Sequence, residues 1–220
     1  MTYHIDTDNV SLDDLRKRIE ATDLVPSRAS LLDGIKIKFS AFEQQGIATL
    51  TGLRNALKNP KRLEAVSNVS GIDTQYLYLL RREIEGYFPK SVALKTFDWL
   101  PKEEIVKLEA NGMRDTAALF NTVSGVAVRA ELGKSINVDL TVLEALIRLA
   151  DLSRIHWVSP TAARMLVEAG YYSASQVAAA DAEDLYETLA SVNEEGRFFK
   201  GKIGLRDIKR LVRAAGYVPS

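Results

Sequence analysis

The chain has no cysteine and only two histidines, His4 and His156. Without thiols there is no disulfide, no thiolate nucleophile and no sulfur ligand, and two distant imidazoles do not make a zinc set. Net charge is missing as well, because 29 basic side chains balance 29 acidic ones. No global field therefore draws in nucleic acid or anionic lipid, and a polyanion would need a local patch. No apolar run approaches the roughly 18 residues of a membrane-spanning helix. The first ten residues carry Asp6 and Asp8, where an export signal needs a basic start and then a long apolar stretch. A Walker or dinucleotide loop is also absent, since residues 201–204 follow no strand and no Lys-Ser or Lys-Thr pair closes them. These gaps predict a cytoplasmic, non-enzymatic protein with no cofactor, metal or membrane contact. Catalysis would have to run on carboxylates, and no pair of them stands out.

What is present suffices to fold. Of the 220 residues, 46% are apolar and 8% aromatic, which excludes disorder and allows most apolar surface to be buried. Helix punctuation dominates. Ser11, with Asp14 three residues on and Leu12, Leu15 and Ile19 behind it, reads as an N-cap, an acidic first turn and one apolar face. Leu77, Leu80 and Ile84, and again Leu143, Leu146, Ile147 and Ala150, recur at helical spacing. Asn59 before Pro60 and Leu100 before Pro101 place proline at helix starts. The expected fold class is all-α.

Internal repetition is the stronger signal. Segments 42–53, 108–119 and 166–177 align on Gly46, Gly112 and Gly170. Four residues before the glycine stands Phe42, Leu108 or Leu166, and one after it Ile47, Met113 or Tyr171. Three after it comes a capping residue, Thr49, Asp115 or Ser173, and seven after it Leu53, Leu119 or Val177. The pattern predicts a left-handed glycine ending one helix, an apolar seal, and a cap opening the next. A second element interleaves with it: Ile72-Asp73, Ile136-Asn137, Val158-Ser159 and Ile203-Gly204 each put a β-branched residue before a member of the capping set. Together they predict a helical lead-in at 1–33 and tandem helical units at 34–96, 97–155 and 156–220.

The corner Leu166-Val-Glu-Ala-Gly170-Tyr171, followed by Ser173 and Val177, and the hairpin-like stretch 152–163 before it, resemble helix-hairpin-helix repeats. Over residues 34–220 the chain is similar to a bacterial domain-of-unknown-function family, the 4332 family. The resemblance implies an all-helical fold and brings no established activity. Helix-hairpin-helix modules often grip a phosphate backbone without reading sequence, through backbone amides bared by a glycine, apolar, glycine hairpin. The corresponding triplets here are Trp157-Val158-Ser159, Gly71-Ile72-Asp73 and Ser135-Ile136-Asn137. They lack one or both glycines, and Asp73 would add a carboxylate, so all three read as structural.

Charge accumulates in one place. Residues 197–220 hold Arg197, Lys200, Lys202, Arg206, Lys209, Arg210 and Arg213 against Asp207 alone, a net +6, which leaves −6 for the rest of the chain. The step from corner glycine to following hinge is 26 residues for Gly46 to Ile72, 24 for Gly112 to Ile136, and 33 for Gly170 to Ile203. The insertion and the basic cluster thus coincide, and long connections often carry function. Lys200, Lys202, Arg206, Lys209, Arg210 and Arg213 are the expected phosphate contacts, with Gly201 and Gly204 supplying amides at a helix start. Phe198 and Phe199 either stack on a base or pin the loop. The bland alternative is a solvated basic face paired with acids such as Asp184, Glu194 and Glu195.

Two functions follow. One is sequence-independent binding of a DNA or RNA phosphate backbone through the basic C-terminal hairpin. The other is a scaffold that docks a protein partner or another copy of itself. Elsewhere His156 beside Trp157, the cap Ser173 near Ser175, and Tyr76 among Tyr78, Arg81 and Arg82 read as structural. Asn55, Lys58, Lys61 and Arg62 read as a solvated helix junction.

Overall fold

The helix starts are built by the side chains that the sequence marks for them. Ser11 Oγ accepts the Asp14 amide at 3.0 Å and opens α1, Leu12–Ala21. After α2, Ile35–Gln44, and α3, Leu50–Ala56, Asn59 Oδ1 accepts the Arg62 amide at 3.0 Å with Pro60 in the first turn of α4, Pro60–Ser70. Asp73 caps α5, Thr74–Ile84, whose Tyr76 is buried and donates its hydroxyl to Leu31 O. Then come α6 (Lys102–Ala110), α7 (Thr116–Thr122), α8 (Val126–Ser135), α9 (Leu140–Leu152), α10 (Pro160–Glu168), α11 (Ala174–Ala178), α12 (Ala182–Gly196) and α13 (Leu205–Ala215). This computed structural model describes residues 2–123 and 126–219. Among them there is no β-strand, and the fold is all-α.

The chain divides into two compact units, residues 6–88 in one and residues 1–5 with 89–220 in the other. In the first, Leu12, Leu15, Phe42, Leu53 and Leu77 are fully or almost fully buried. In the second, Phe97, Leu108, Leu119, Leu146, Leu166 and Leu185 form one continuous core.

The three corners share a closure. Gly46, Gly112 and Gly170 have φ of +77°, +86° and +87°. Ile47 N donates to Phe42 O at 3.1 Å, Met113 N to Leu108 O at 3.0 Å, and Tyr171 N to Leu166 O at 2.9 Å. Each glycine amide also donates three residues back, to Glu43, Glu109 or Val167, which completes the paired bonds of a Schellman stop. The caps then open the next helix: Thr49 accepts Gly52 N, Asp115 accepts Ala117 N and Ala118 N, and Ser173 accepts Gln176 N. A Cβ built on any of the three glycines meets nothing within 4 Å, so substitution there costs torsional strain alone. Gly112→Ala is expected to destabilise by about 1–2 kcal/mol. Gly201→Ala, with no positive φ and open space around it, should change stability by at most about 0.5 kcal/mol. Paired chemical denaturation curves check both.

An extended segment braces the first two corners. Val10 O accepts Leu50 N while Leu12 N donates to Ala48 O; likewise Val92 O accepts Thr116 N while Leu94 N donates to Arg114 O. At the third corner the matching amide, Ala174 N, donates instead to Asp151 Oδ2 at 2.8 Å.

The hinge register expected at Ile136-Asn137 is corrected by two residues. Asn137 takes the left-handed conformation at φ +53°, Val138 is buried, and Asp139 is the cap of α9, accepting Thr141 N and Val142 N. Asparagine tolerates that conformation, so it fills the role that glycine plays at Gly71.

Candidate nucleic-acid interface

The basic insertion is shaped by the end of α12. This helix stops at Gly196, and Arg197, left-handed at φ +50°, donates its amide to Asn193 O at 2.8 Å. Asn193 also holds Phe199 at two points: Oδ1 accepts Phe199 N at 2.8 Å and Nδ2 donates to Phe199 O at 3.2 Å. The two phenylalanines differ in placement. Phe198 pins the loop, its ring lying where a Gly196 Cβ would come within 2.3 Å and meeting the Arg164 guanidinium at 5.3 Å. Phe199 stays 39% exposed. The clamped loop and α12 enclose an open groove of about 570 Å³, floored by Tyr186 and Ala190 and walled by Arg197, Phe199, Lys200 and Lys202.

The expected contact residues fall into two groups. Lys200, Gly201 and Lys202 line the groove with Arg197 and are exposed. Among the described residues no carboxylate pairs with Arg197, Lys200 or Lys202, although Glu194 shares the groove wall. Gly204 is the N-cap of α13 and carries no side-chain cap, while the Asp207 carboxylate lies 3.4 Å from where a Gly204 Cβ would stand. On α13 itself the cations are more committed. Lys209 pairs with Glu183 at 2.8 Å, rather than with Asp184, Glu194 or Glu195. Arg210 lies over the Trp157 ring at 4.4 Å with Nη1 3.6 Å from Asp207, and Trp157 in turn stacks on His156 at 3.7 Å. Arg206 and Arg213 are exposed.

The earlier hairpins have spent the amides that a phosphate would need. Asp73 Oδ1 takes Gln75 N and Tyr76 N, Asp139 Oδ1 takes Thr141 N and Val142 N, and Ser159 Oγ takes Ala162 N. Two of these caps are carboxylates that would repel an anion. Sequence reasoning missed the clamp by Asn193 and the groove floor at Tyr186. An amide side chain six residues before Phe199 was the available signal.

Residues 100–217 match the model of a protein family described as Domain of unknown function (DUF4332). No curated protein and no solved structure matches the chain.

Proposed function

We propose, for a chain that belongs to the DUF4332 family, sequence-independent and non-enzymatic binding of nucleic acid at the C-terminal corner. The observation that carries this reading is the trio Arg197, Lys200 and Lys202, held round an open groove with no carboxylate among the described residues paired to any of them. Phosphate neutralisation by such cations supplies sequence-independent affinity, and no base edge needs to be read. Lys202 leads into the start of α13, whose N-cap Gly204 makes no side-chain cap bond and whose first turn carries Asp207, so the three cations and not the helix end supply the attraction. The corners at Gly46, Gly112 and Gly170 support a reading of tandem helix-hairpin-helix-like units, of which the enlarged last hairpin carries the exposed cations Arg197, Lys200 and Lys202.

A salt titration of binding to mixed-sequence duplex and single strands tests the proposal. Log affinity should fall linearly with log salt, with a slope of about −3, near one unit per contacting cation. Absence of any complex at low ionic strength would overturn it. A second reading, protein docking, rests on Ile37 and Val69, which are 78% and 73% exposed on α2 and α4, helices that pack together. A stoichiometric protein partner recovered from a chain that binds no nucleic acid would favour that reading.

A further inference from the structure

A second cleft, of about 390 Å³, opens beside the third corner. It lies within the unit formed by residues 1–5 and 89–220, and its volume is at the lower end of the roughly 300–1,000 Å³ typical of small-molecule sites. Phe120, Ile147 and Tyr172 give it apolar walls, and three arginines and two carboxylates line it. Both carboxylates are spoken for. Asp151 Oδ1 accepts from Arg154 Nη1 at 2.7 Å and its Oδ2 accepts Ala174 N, while Glu144 accepts from Arg129 Nη1 at 3.2 Å. Arg148 is the surplus cation. Its guanidinium lies 4.2 Å from the centre of the Tyr172 ring, and among the described residues it meets no carboxylate. Arg129 Nε is buried and, among the described residues, has no hydrogen-bond partner. The hydroxyls of Ser173 and Ser175, 3.0 Å apart, stand on the same rim.

The other corners show why this edge is open. At Thr49 and Asp115 an extended segment covers the corner, whereas at Ser173 the carboxylate of Asp151 satisfies the corner amide in its place. That leaves the space beside the corner to side chains with unmet donors. We infer that this cleft binds a small organic oxyanion, a phosphate or carboxylate head on an aromatic or apolar body. Arg148 meets the head in its planar fork, Arg129 adds positive charge beside it, and Phe120 and Tyr172 enclose the body. The site is independent of the basic groove and does not rest on nucleic-acid binding.

Backbone and arginine Nε resonances followed during titration with phenyl phosphate, benzoate and inorganic phosphate test the inference. Phenyl phosphate or benzoate should give saturable shifts at Ala174, Ser175, Gln176 and Arg148, tighter than inorganic phosphate, which lacks the body. Arg148→Ala should weaken the response at least tenfold. Glu144→Gln, which removes a competing charge and frees Arg129, should strengthen it several-fold, a change that a damaged fold would not produce. Lys200→Glu with Lys202→Glu should leave it unaltered. No saturable shift with any of the three probes, shifts confined to residues 197–206, or an Arg148→Ala protein that binds like the parent would overturn the assignment.

Discussion

Arg154→Met is expected to destabilise the unit formed by residues 1–5 and 89–220 by about 3–5 kcal/mol. Arg154 is 3% exposed. Its Nε donates to Tyr3 O at 3.1 Å, Nη1 to Asp151 at 2.7 Å and Nη2 to Pro219 O at 2.9 Å. One guanidinium thus ties together two segments 151 and 65 residues away, and its face lies 4.6 Å from the centre of the Phe120 ring. Methionine keeps most of the stem but leaves the buried Tyr3 carbonyl, the Pro219 carbonyl and half of a carboxylate without their donors, and a buried group costs far more unpaired than a hydrogen bond returns when made.

A relay beside it raises the stake. Val92 N donates to Thr116 Oγ1, Thr116 to Tyr3 Oη, and Tyr3 to Lys90 O, each bond being 2.9–3.0 Å. Burial pushes the Tyr3 phenol up, with the Thr116 hydrogen bond acting the other way, so it stays protonated as the donor to Lys90 O. Arg154→Lys should recover only part of the loss, because an ammonium cannot span three acceptors in the guanidinium plane. Urea melts of the three proteins, followed by tryptophan fluorescence from Trp99 and Trp157, check the order wild type, lysine, methionine. A methionine variant within about 1 kcal/mol of the parent would show that the network is not a tether.

Reversing the groove cations together, Arg197→Glu with Lys200→Glu and Lys202→Glu, should lower affinity for mixed-sequence nucleic acid at least about a hundredfold at low salt and flatten the salt slope toward zero. The three side chains are exposed and, among the described residues, unpaired with carboxylates, so stability should move by no more than about 0.5 kcal/mol per site. The loss would then belong to the contact and not to the fold. The same reversal at Lys61 and Arg62 is the matched control. There Arg62 already donates to Asn55 O at 2.9 Å, and affinity should change by less than about threefold. Equal losses at both places would mean that any negative charge weakens binding, and the groove would lose its special status. Charge reversal at Lys209 should have a smaller effect than in the groove, because its ammonium is already shared with Glu183.

The parts of this molecule that local chemistry writes were legible in the sequence. A glycine that must turn left-handed, an apolar seal and a capping oxygen all act within eight residues, so Gly46, Gly112 and Gly170 could be aligned by eye and their geometry foreseen. The hinge near Asn137 misled because Asn137 and Asp139 are both capping types two residues apart, and the left-handed position that decides between them is a backbone property. Within the candidate site, Lys200 and Lys202 were visible as charge, but the Asn193 clamp that shapes their groove depends on how an irregular loop returns to its helix. Least visible were the arginines. Whether Arg148, Arg154 or Arg129 is left over depends on which of them Asp151 and Glu144 accept, and that is settled by packing across elements distant in sequence. Nothing in their spacing separates a tether from a surplus cation.

The proposed phosphate contact falls on Arg197, Lys200 and Lys202 at the last hairpin and not on the self-capped hairpins before it. Backbone amide shifts followed while a short mixed-sequence oligonucleotide is added at low ionic strength test it most directly. The largest changes should fall on residues 197–206, while Asp73 and Asp139 and the amides they cap should not move. No change at all, or changes centred on those earlier hairpins, would contradict it.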